Sequence, residues 1–214
     1  MPRPTHVLIV RHGESTWNAD GRWQGQADPP LTARGRDQAR AAAESLPAVD
    51  LVVTSDLRRA ADTAALLAGP ARTVTTDVGL RERDAGAFSG LRRDQIHERH
   101  PGLLPDDPAR AAGTEGHGLI APPGWEPDAS LLARAWAALD RLAAALEGNG
   151  GGTGLAVSHS GLIYGIEISL GAVRERIPNL GSRWLHRVPD GWALGERQLL
   201  LGPEAATATP ADQL

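Results

Sequence analysis

The stretch Val7-Leu8-Ile9-Val10-Arg11-His12-Gly13-Glu14-Ser15-Thr16-Trp17-Asn18 joins an apolar run to a polar cluster. Its first four residues are apolar and mostly β-branched, which predicts a strand buried on both faces. The strand ends at Arg11, His12 and Gly13, where the glycine is expected to permit a tight turn and close approach of a ligand. Open α/β sheets bind ligands beyond the carboxyl ends of their strands, so we expect Arg11 and His12 to lie in a ligand site. A guanidinium group beside an imidazole suits an oxyanion such as phosphate.

Strands and helices alternate along the rest of the chain. Apolar periodicity and turn signals predict helices over 32–45, 91–100, 128–147 and 162–170, a further helix that begins at Ser55, and strands over 50–54, 73–78, 155–157, 182–188 and 192–201. The glycine-rich run 148–154 is expected to be a flexible linker. This order predicts a three-layer α/β/α sandwich with a mostly parallel central sheet, mixed because the last two strands form a hairpin.

Two later segments add candidates for anion binding. The strand over 155–157 ends on Ser158-His159-Ser160-Gly161, which repeats the order of strand end, histidine and helix start, with Ser160 as the expected N-cap. Arg59 falls in the first turn of a helix that follows a buried strand, where free N–H groups favour an anion. Its neighbour Arg58 is expected to be a surface residue. Asn18 and Arg22, in the loop after the first strand, are placed to close over the anion.

Composition excludes several kinds of chemistry. The 214 residues carry a formal net charge of −4, and all 22 basic residues are arginines, so a lysine Schiff base and a P-loop lysine are excluded. The chain has no cysteine, which excludes disulfides, thiolate catalysis and cysteine zinc sites. The acidic balance argues against a nucleic-acid or membrane partner, and no apolar run reaches membrane-spanning length. We expect a cytoplasmic protein with one domain over 1–202, an irregular substrate-facing segment over 101–127 and a disordered tail over 203–214.

Metal and cofactor sites are not predicted. His97 and His100 share one helical face, but no third ligand follows at a convincing spacing. We therefore expect neither a metal nor an organic cofactor.

Several blocks of the sequence resemble the histidine phosphatase superfamily, which includes the cofactor-dependent phosphoglycerate mutases. The resemblance covers residues 7 to about 165, and its blocks occur in the order of that family. They are residues 7–18, 24–28 with 30–32, 55–60, 80–82 and 157–159. The resemblance implies the phosphatase branch of the family and its mutase-like α/β fold.

The resemblance also implies roles for individual residues. His12 would attack phosphorus and form a phosphohistidine, with a backbone carbonyl expected to hold its other ring nitrogen. Glu82 would act as the proton donor to the leaving group. Arg11, Arg59 and His159 would neutralise and clamp the phosphate. The expected phosphate- and substrate-binding residues are Arg11, Asn18, Arg22, Gln24, Arg59, His159 and Ser160.

The chain departs from the family pattern at two places. Gly124-Trp125-Glu126-Pro127 replaces a Gly-Gly-Glu-Ser run, although Glu126 and the later Arg134 fit the pattern. Ser160 replaces the glycine that usually follows the second histidine, and it was expected to cap the helix or to crowd the pocket.

Three functions remain open from the sequence. The first is metal-independent hydrolysis of a small phosphorylated metabolite, in a chain that could form a homodimer. The second is mutase-type phosphoryl transfer, which the short region after Gly90 disfavours because it does not resemble the insert of the mutases. The third is non-catalytic binding of a phosphorylated ligand.

Overall fold

The computed structural model describes residues 2–107, 109, 118–202 and 205. Strands and helices alternate over most of this part of the chain, with two 3₁₀ turns, Val78–Leu80 and Gly86–Phe88. In chain order the elements are β1 (Thr5–Arg11), α1 (Thr16–Ala19), α2 (Ala33–Ala43), β2 (Leu51–Thr54), α3 (Arg58–Ala68), β3 (Val74–Thr76), α4 (Arg93–Arg99), α5 (Asp128–Gly148), β4 (Gly152–Ser158), α6 (Ser160–Ser169), β5 (Gly181–Val188) and β6 (Gly191–Leu199).

The six strands form one mixed sheet with the order β3-β2-β4-β1-β5-β6. The pairs β3–β2, β2–β4 and β4–β1 are parallel, and β1–β5 and β5–β6 are antiparallel. Arg11, the last residue of β1, is level with Ser158, the last residue of β4. The register therefore brings His12 and His159 side by side at the carboxyl ends of the two central parallel strands.

Helices cover both faces of the sheet. On one face, Val7 and Ile9 of β1 pack in one apolar cluster with Leu139 of α5 and Ile163 of α6. On the other face, Leu8 and Val10 pack in a second cluster with residues of α2 and α3. Alternate side chains of β1 thus enter opposite cores, as expected of a strand buried on both faces. The three-layer sandwich is confirmed.

Several predicted boundaries differ from the structure. The helix expected from Ser55 begins at Arg58, because Leu57 is the extended residue before it and the Ser55 hydroxyl accepts from the Leu57 N–H. His159, not Ser160, is the residue before α6, so the N-cap role expected of Ser160 is wrong. The loop expected after the first strand contains α1, which Ser15 caps.

The glycine-rich run 148–154 is part of the fold and not a linker. Gly148 ends α5, and β4 begins at Gly152. Gly151 has φ +83°, and a Cβ atom there would lie 1.9 Å from the carbonyl oxygen of Arg3. Glycine is required because the turn adopts the left-handed region directly against another segment of backbone.

Two of the sequence predictions fall partly outside the described residues. Within the segment 101–127, residues 108 and 110–117 lie outside them, and the described remainder is irregular, as expected. Of the tail 203–214, only Ala205 lies inside. No helix in the described ranges is long and apolar enough to cross a membrane.

Candidate active site

The segment after β1 is fixed by neighbours from three elements. The backbone N–H of His12 donates to Ser158 O at 3.0 Å, and the Asn179 amide donates to His12 O at 2.8 Å. The N–H of Gly13 donates to the hydroxyl of Thr63 on α3 at 3.0 Å. A Cβ atom on Gly13 would lie 2.5 Å from Gly35 O, and Gly13 does not have a positive φ. Glycine is needed at position 13 because its small size lets the start of α2 approach closely. The tight turn expected at Gly13 is not the reason.

The ring of His12 is oriented by its own backbone neighbour. Its Nδ1 atom lies 2.6 Å from Gly13 O, which is the carbonyl partner expected from the sequence. A carbonyl only accepts, so this contact places the proton on Nδ1 and leaves a lone pair on Nε2. Arg59 Nε donates to Nε2 at 3.2 Å.

Burial and positive neighbours keep the imidazole neutral. Burial lowers the pKa of His12 well below 6.5, and Arg59 and Arg11 lower it further. The pKa values of Arg11 and Arg59 are themselves lowered by burial to about 10, so both guanidinium groups stay charged at neutral pH. A neutral nucleophile thus lies beside two fixed cations.

Both arginines are held by backbone carbonyls. Arg59 donates to Ala27 O at 2.7 Å and to Gly25 O at 2.9 Å, and Arg11 donates to Ile177 O at 2.7 Å. Carbonyls fix the guanidinium groups without neutralising their charge. Arg58, one residue away from Arg59, points to solvent as predicted.

His159 is fully buried and packs against His12, with ring centroids 5.1 Å apart. Neither of its ring nitrogens has a hydrogen-bond partner among the described residues. Burial lowers the pKa of His159 well below 6.5, and Arg59 and His12 add to the effect. Burial therefore disfavours the positive charge expected of His159 from the sequence, and its role in binding phosphate stays a prediction. His159 offers a neutral ring with one N–H donor.

Glu82 reaches the site from the loop after β3. One carboxylate oxygen accepts from the N–H of Arg83 at 2.7 Å and the other from the N–H of Gly161 at 2.9 Å. A Cβ atom on Gly161 would lie 2.5 Å from Glu82 Oε1, so glycine at this position leaves room for the carboxylate. The start of α6 thus holds Glu82 in place.

The backbone of the loop that carries Glu82 is clamped by an arginine of α5. Arg134 donates to the carbonyl oxygens of Gly79, Arg81 and Glu82, and its guanidinium group pairs with both carboxylate oxygens of Glu126 at 2.7 Å. Glu126 and Arg134 were noted in the sequence only for fitting the family pattern. Their contacts assign them to positioning Glu82.

A cavity of about 620 Å³ opens beyond His12. Gln24 lines it and accepts from the Ser15 hydroxyl, and Arg22 lines it while donating to Gly90 O at 2.8 Å. His159 is fully buried and packs against His12 at the inner end of the cavity. The predicted site residues that line the cavity are Arg11, His12, Asn18, Arg22, Gln24, Arg59, Glu82 and Ser160.

The sequence did not single out the outer lining of this cavity. Part of this lining comes from the described residues 118–127, and the substrate-facing role of the segment 101–127 stays a prediction. The outer lining residues are Trp23, Ala85, Leu119, Ala121, Trp125, Leu132, Tyr164, Ile168 and Arg174.

The described residues contain no group of three or more His, Asp or Glu side chains that could hold a metal ion. His97 has Asp106 as its acidic neighbour at 3.4 Å, away from the cavity. Charge for binding a phosphate is supplied instead by Arg11 and Arg59.

Comparison with known proteins identifies the family. The model of the histidine phosphatase superfamily (branch 1) matches residues 7–193. The chain belongs to the histidine phosphatase superfamily. The family resemblance of the sequence blocks is confirmed. The prediction that the chain is an enzyme of the phosphatase type is confirmed with it.

Curated relatives within the superfamily carry two kinds of name. The glucosyl-3-phosphoglycerate phosphatase of Mycobacterium tuberculosis (strain ATCC 25618 / H37Rv) is 36% identical over 176 residues, which are 78% of this chain and 76% of the relative. The probable phosphoglycerate mutase GpmB of Salmonella typhi is 37% identical over 166 residues, 76% of this chain and 73% of the relative. The match to GpmB of Enterobacter sp. (strain 638), at 37% identity, spans only 54% of that relative.

Solved structures agree with this assignment. A mycobacterial glucosyl-3-phosphoglycerate phosphatase in complex with VO3 superposes with a TM-score of 0.72 at 29% identity, covering 90% of this chain and 98% of that chain. A phosphoglycerate mutase from Bacillus anthracis superposes with a TM-score of 0.74 over 91% of this chain and 93% of that chain, at 21% identity, and supports the fold alone.

Proposed function

We propose that this chain hydrolyses small phosphomonoesters through a phosphohistidine on His12, without a metal ion. The observation that carries the proposal is the neutral His12 ring. Its Nδ1 proton is held by Gly13 O, and its Nε2 faces Arg59 at the inner end of an open cavity. A nucleophile, fixed cations and a positioned carboxylic residue are the parts that phosphoryl transfer needs.

The first chemical step transfers the phosphoryl group to the enzyme. A phosphomonoester carries about −1.5 to −2 charges at neutral pH, and Arg11 and Arg59 bind its oxygens. The His12 Nε2 lone pair attacks phosphorus in line, and the bond from phosphorus to the ester oxygen breaks. Glu82, in its protonated form, gives its proton to the departing alkoxide. The carbonyl of Gly13 stabilises the positive charge that develops on the imidazole ring.

The second step releases the phosphate. The alcohol leaves, and water enters the open cavity. Glu82, now a carboxylate, takes a proton from the water molecule. The water oxygen attacks phosphorus, and the N–P bond to His12 breaks. Inorganic phosphate, neutral His12 and protonated Glu82 are regenerated. His159 donates one hydrogen bond to a phosphate oxygen in both steps.

Mutase activity is the second candidate, because curated relatives named as phosphoglycerate mutases match most of the chain. A mutase must return the phosphoryl group to the organic intermediate before water reaches it. The glucosyl-3-phosphoglycerate phosphatase of Mycobacterium tuberculosis, whose match covers 78% of the chain, supports hydrolysis. We propose small phosphorylated metabolites, phosphoglycerate derivatives among them, as substrates of a cytoplasmic enzyme, and a homodimer stays a prediction.

A substrate panel distinguishes these functions. Phosphate release from alkyl, sugar and glycerate phosphates is measured with EDTA present throughout, together with conversion of 3-phosphoglycerate to its 2-isomer. We expect phosphate release to dominate and to survive the chelator. Isomerisation much faster than phosphate release would establish the mutase, and activity restored only by added metal would contradict the metal-free mechanism.

A further inference from the structure

The cavity has an inner polar end and a long outer wall along α6. Gly161, Tyr164 and Ile168 line it from successive turns of that helix. A helix rises about 1.5 Å per residue, so the wall extends about 11 Å from Gly161, beside Glu82, to Ile168. A phosphate of ordinary size fills only the inner end. The outer length is space for the rest of the substrate.

The remaining lining of the outer cavity is largely aromatic and apolar. Trp23 and Trp125 lie with ring centroids 6.1 Å apart, and both pack against Phe88, which is fully buried. These residues belong to a separate apolar cluster with Ile96 and Leu104. The aromatic rings are therefore held by a small core of their own. Leu119, Ala121 and Leu132 complete this lining.

Several polar side chains of the outer cavity already have partners within the chain, whereas the buried indole N–H of Trp23 has no hydrogen-bond partner among the described residues. Arg83 donates to Glu126 O, pairs with Asp128 and lies over the ring of Trp125. The Tyr164 hydroxyl accepts from the N–H of Ile177, and the Ser169 hydroxyl donates to Ile166 O. Arg174 lies over the ring of Tyr164 and extends to solvent at the rim. A polyhydroxylated group in this space would lose water and find few partners in return.

We propose that the site takes phosphomonoesters with an extended apolar body, an alkyl chain or a planar aromatic ring, in preference to polyhydroxylated ones. This inference rests on the proposed function, since the phosphate must lie at His12 for its organic group to reach the outer wall. Leu132 and Ile168 are then residues that determine specificity. They contact the part of the substrate that does not react.

The test is a series of n-alkyl phosphates from ethyl to decyl. These alcohols are nearly equal as leaving groups, so differences in kcat/KM report contacts along the chain. Each methylene that becomes buried is expected to raise kcat/KM about two- to fourfold. The rise should stop at about eight or nine carbons, because an extended chain advances about 1.2 Å per bond and then leaves the wall. Propyl phosphate should exceed glycerol 3-phosphate by about tenfold, since each hydroxyl loses water.

Leu132→Gln and Ile168→Gln test the wall itself. In either variant the ratio of kcat/KM for octyl phosphate to that for ethyl phosphate should fall about tenfold, because a polar amide replaces an apolar contact. The ratio cancels changes in folded fraction or in the chemical step. Val188→Gln is the matched control, because Val188 is partly exposed at the end of β5 that pairs with the start of β1, away from the site. Its ratio should equal that of the unchanged chain.

The possible failures are distinguishable. Phosphate release with a flat or falling chain-length series, or with ratios unchanged in both wall variants, would overturn this inference and leave the proposed function standing. Absence of phosphate release from every member of the panel would overturn the proposed function and this inference with it.

Discussion

At the scale of single residues, the site depends on two arginines that stay charged beside a histidine that stays neutral. Arg11 and Arg59 are buried yet charged, and a lowering of their pKa values from 12.5 to about 10 corresponds to about 3 kcal/mol of unfavourable free energy for each cation. Burial, together with these cations, lowers the pKa of His12 and keeps its ring neutral. A bound phosphate dianion would compensate the buried charges, so these charges prepare the site for an anion.

Glu82 gives the first prediction at this scale. Glu82→Gln keeps the size of the side chain but cannot donate a proton in the same way. An alkyl alkoxide needs that proton and nitrophenolate does not, so we expect kcat/KM to fall about 10²–10⁴-fold for alkyl phosphates and distinctly less for p-nitrophenyl phosphate. Equal losses for both substrates would indicate a binding or folding defect. No loss for either would make Glu82 an ordinary surface residue.

Gly161→Ala tests the same role of Glu82 without changing the Glu82 side chain. The added methyl group would lie 2.5 Å from Glu82 Oε1, so the carboxylate must move while its chemistry is retained. We expect the same dependence on the leaving group, at smaller magnitude.

The functional side chains at the ends of strands could be predicted from the sequence. The contacts that hold the functional side chains in position could not. Arg11, His12 and His159 follow buried strands, and the topology then requires them to meet. Gly161 donates its backbone N–H to the Glu82 carboxylate, and Arg134 donates to backbone carbonyls of the loop that carries Glu82. No motif or periodicity indicates such contacts. The neutrality of His159 also depends on its complete burial, which only the folded chain provides.

At the scale of elements, a buried ion cluster joins α6 to the terminal hairpin. Glu167 of α6 is fully buried and accepts from Arg183 of β5 at 2.7 Å and from Arg197 of β6 at 2.9 and 2.5 Å. Arg197 also donates to the carbonyl oxygens of Glu175 and Arg176. These residues precede Ile177, whose carbonyl holds Arg11. The cluster therefore supports the site from behind.

Glu167→Gln should lower the free energy of unfolding by about 3–5 kcal/mol, because it leaves two cations partly buried without their counter-charge. Urea denaturation measures the change. Asp37→Asn removes the partner of Arg40 in an exposed ion pair on α2 and should cost less than about 1 kcal/mol. Equal and small costs for both variants would show that the buried cluster adds nothing to stability.

Elements with strong apolar patterns were predicted well. The runs around Val7 and Leu155 became the two central strands, and the periodic segment 128–147 became α5. The wrong predictions of secondary structure fell where the side chains say little about the backbone conformation. In the run 148–154, glycine composition indicated freedom, but the conformation is decided by the backbone of Arg3 lying against Gly151.

At the scale of the whole molecule, the two buried histidines couple stability to pH. Their pKa values are lowered in the folded chain, so below about pH 6.5 the unfolded chain binds more protons than the folded one, and stability falls as the pH falls. Each histidine should contribute a slope of up to about 1.4 kcal/mol per pH unit between about pH 6.5 and its lower folded pKa.

His159→Gln tests this linkage. The free energy of unfolding is measured with urea from about pH 7 to about pH 5.5. Its slope against pH should be smaller in the variant by the contribution of one histidine, up to about 1.4 kcal/mol per pH unit. Carboxylates with lowered pKa values, such as those of Asp56 and Glu126, contribute mainly at lower pH. A variant with the slope of the unchanged chain would contradict the neutrality of His159.

The central claim is that His12 carries the phosphoryl group, and trapping the phosphoenzyme tests it most directly. The protein is mixed with a radiolabelled phosphomonoester, quenched with alkali, and the labelled peptide is identified. We predict acid-labile label on His12 in the unchanged chain, none in His12→Ala, and label still on His12, at a reduced level, in His159→Ala. Label on His159 with His12 unlabelled would contradict the account.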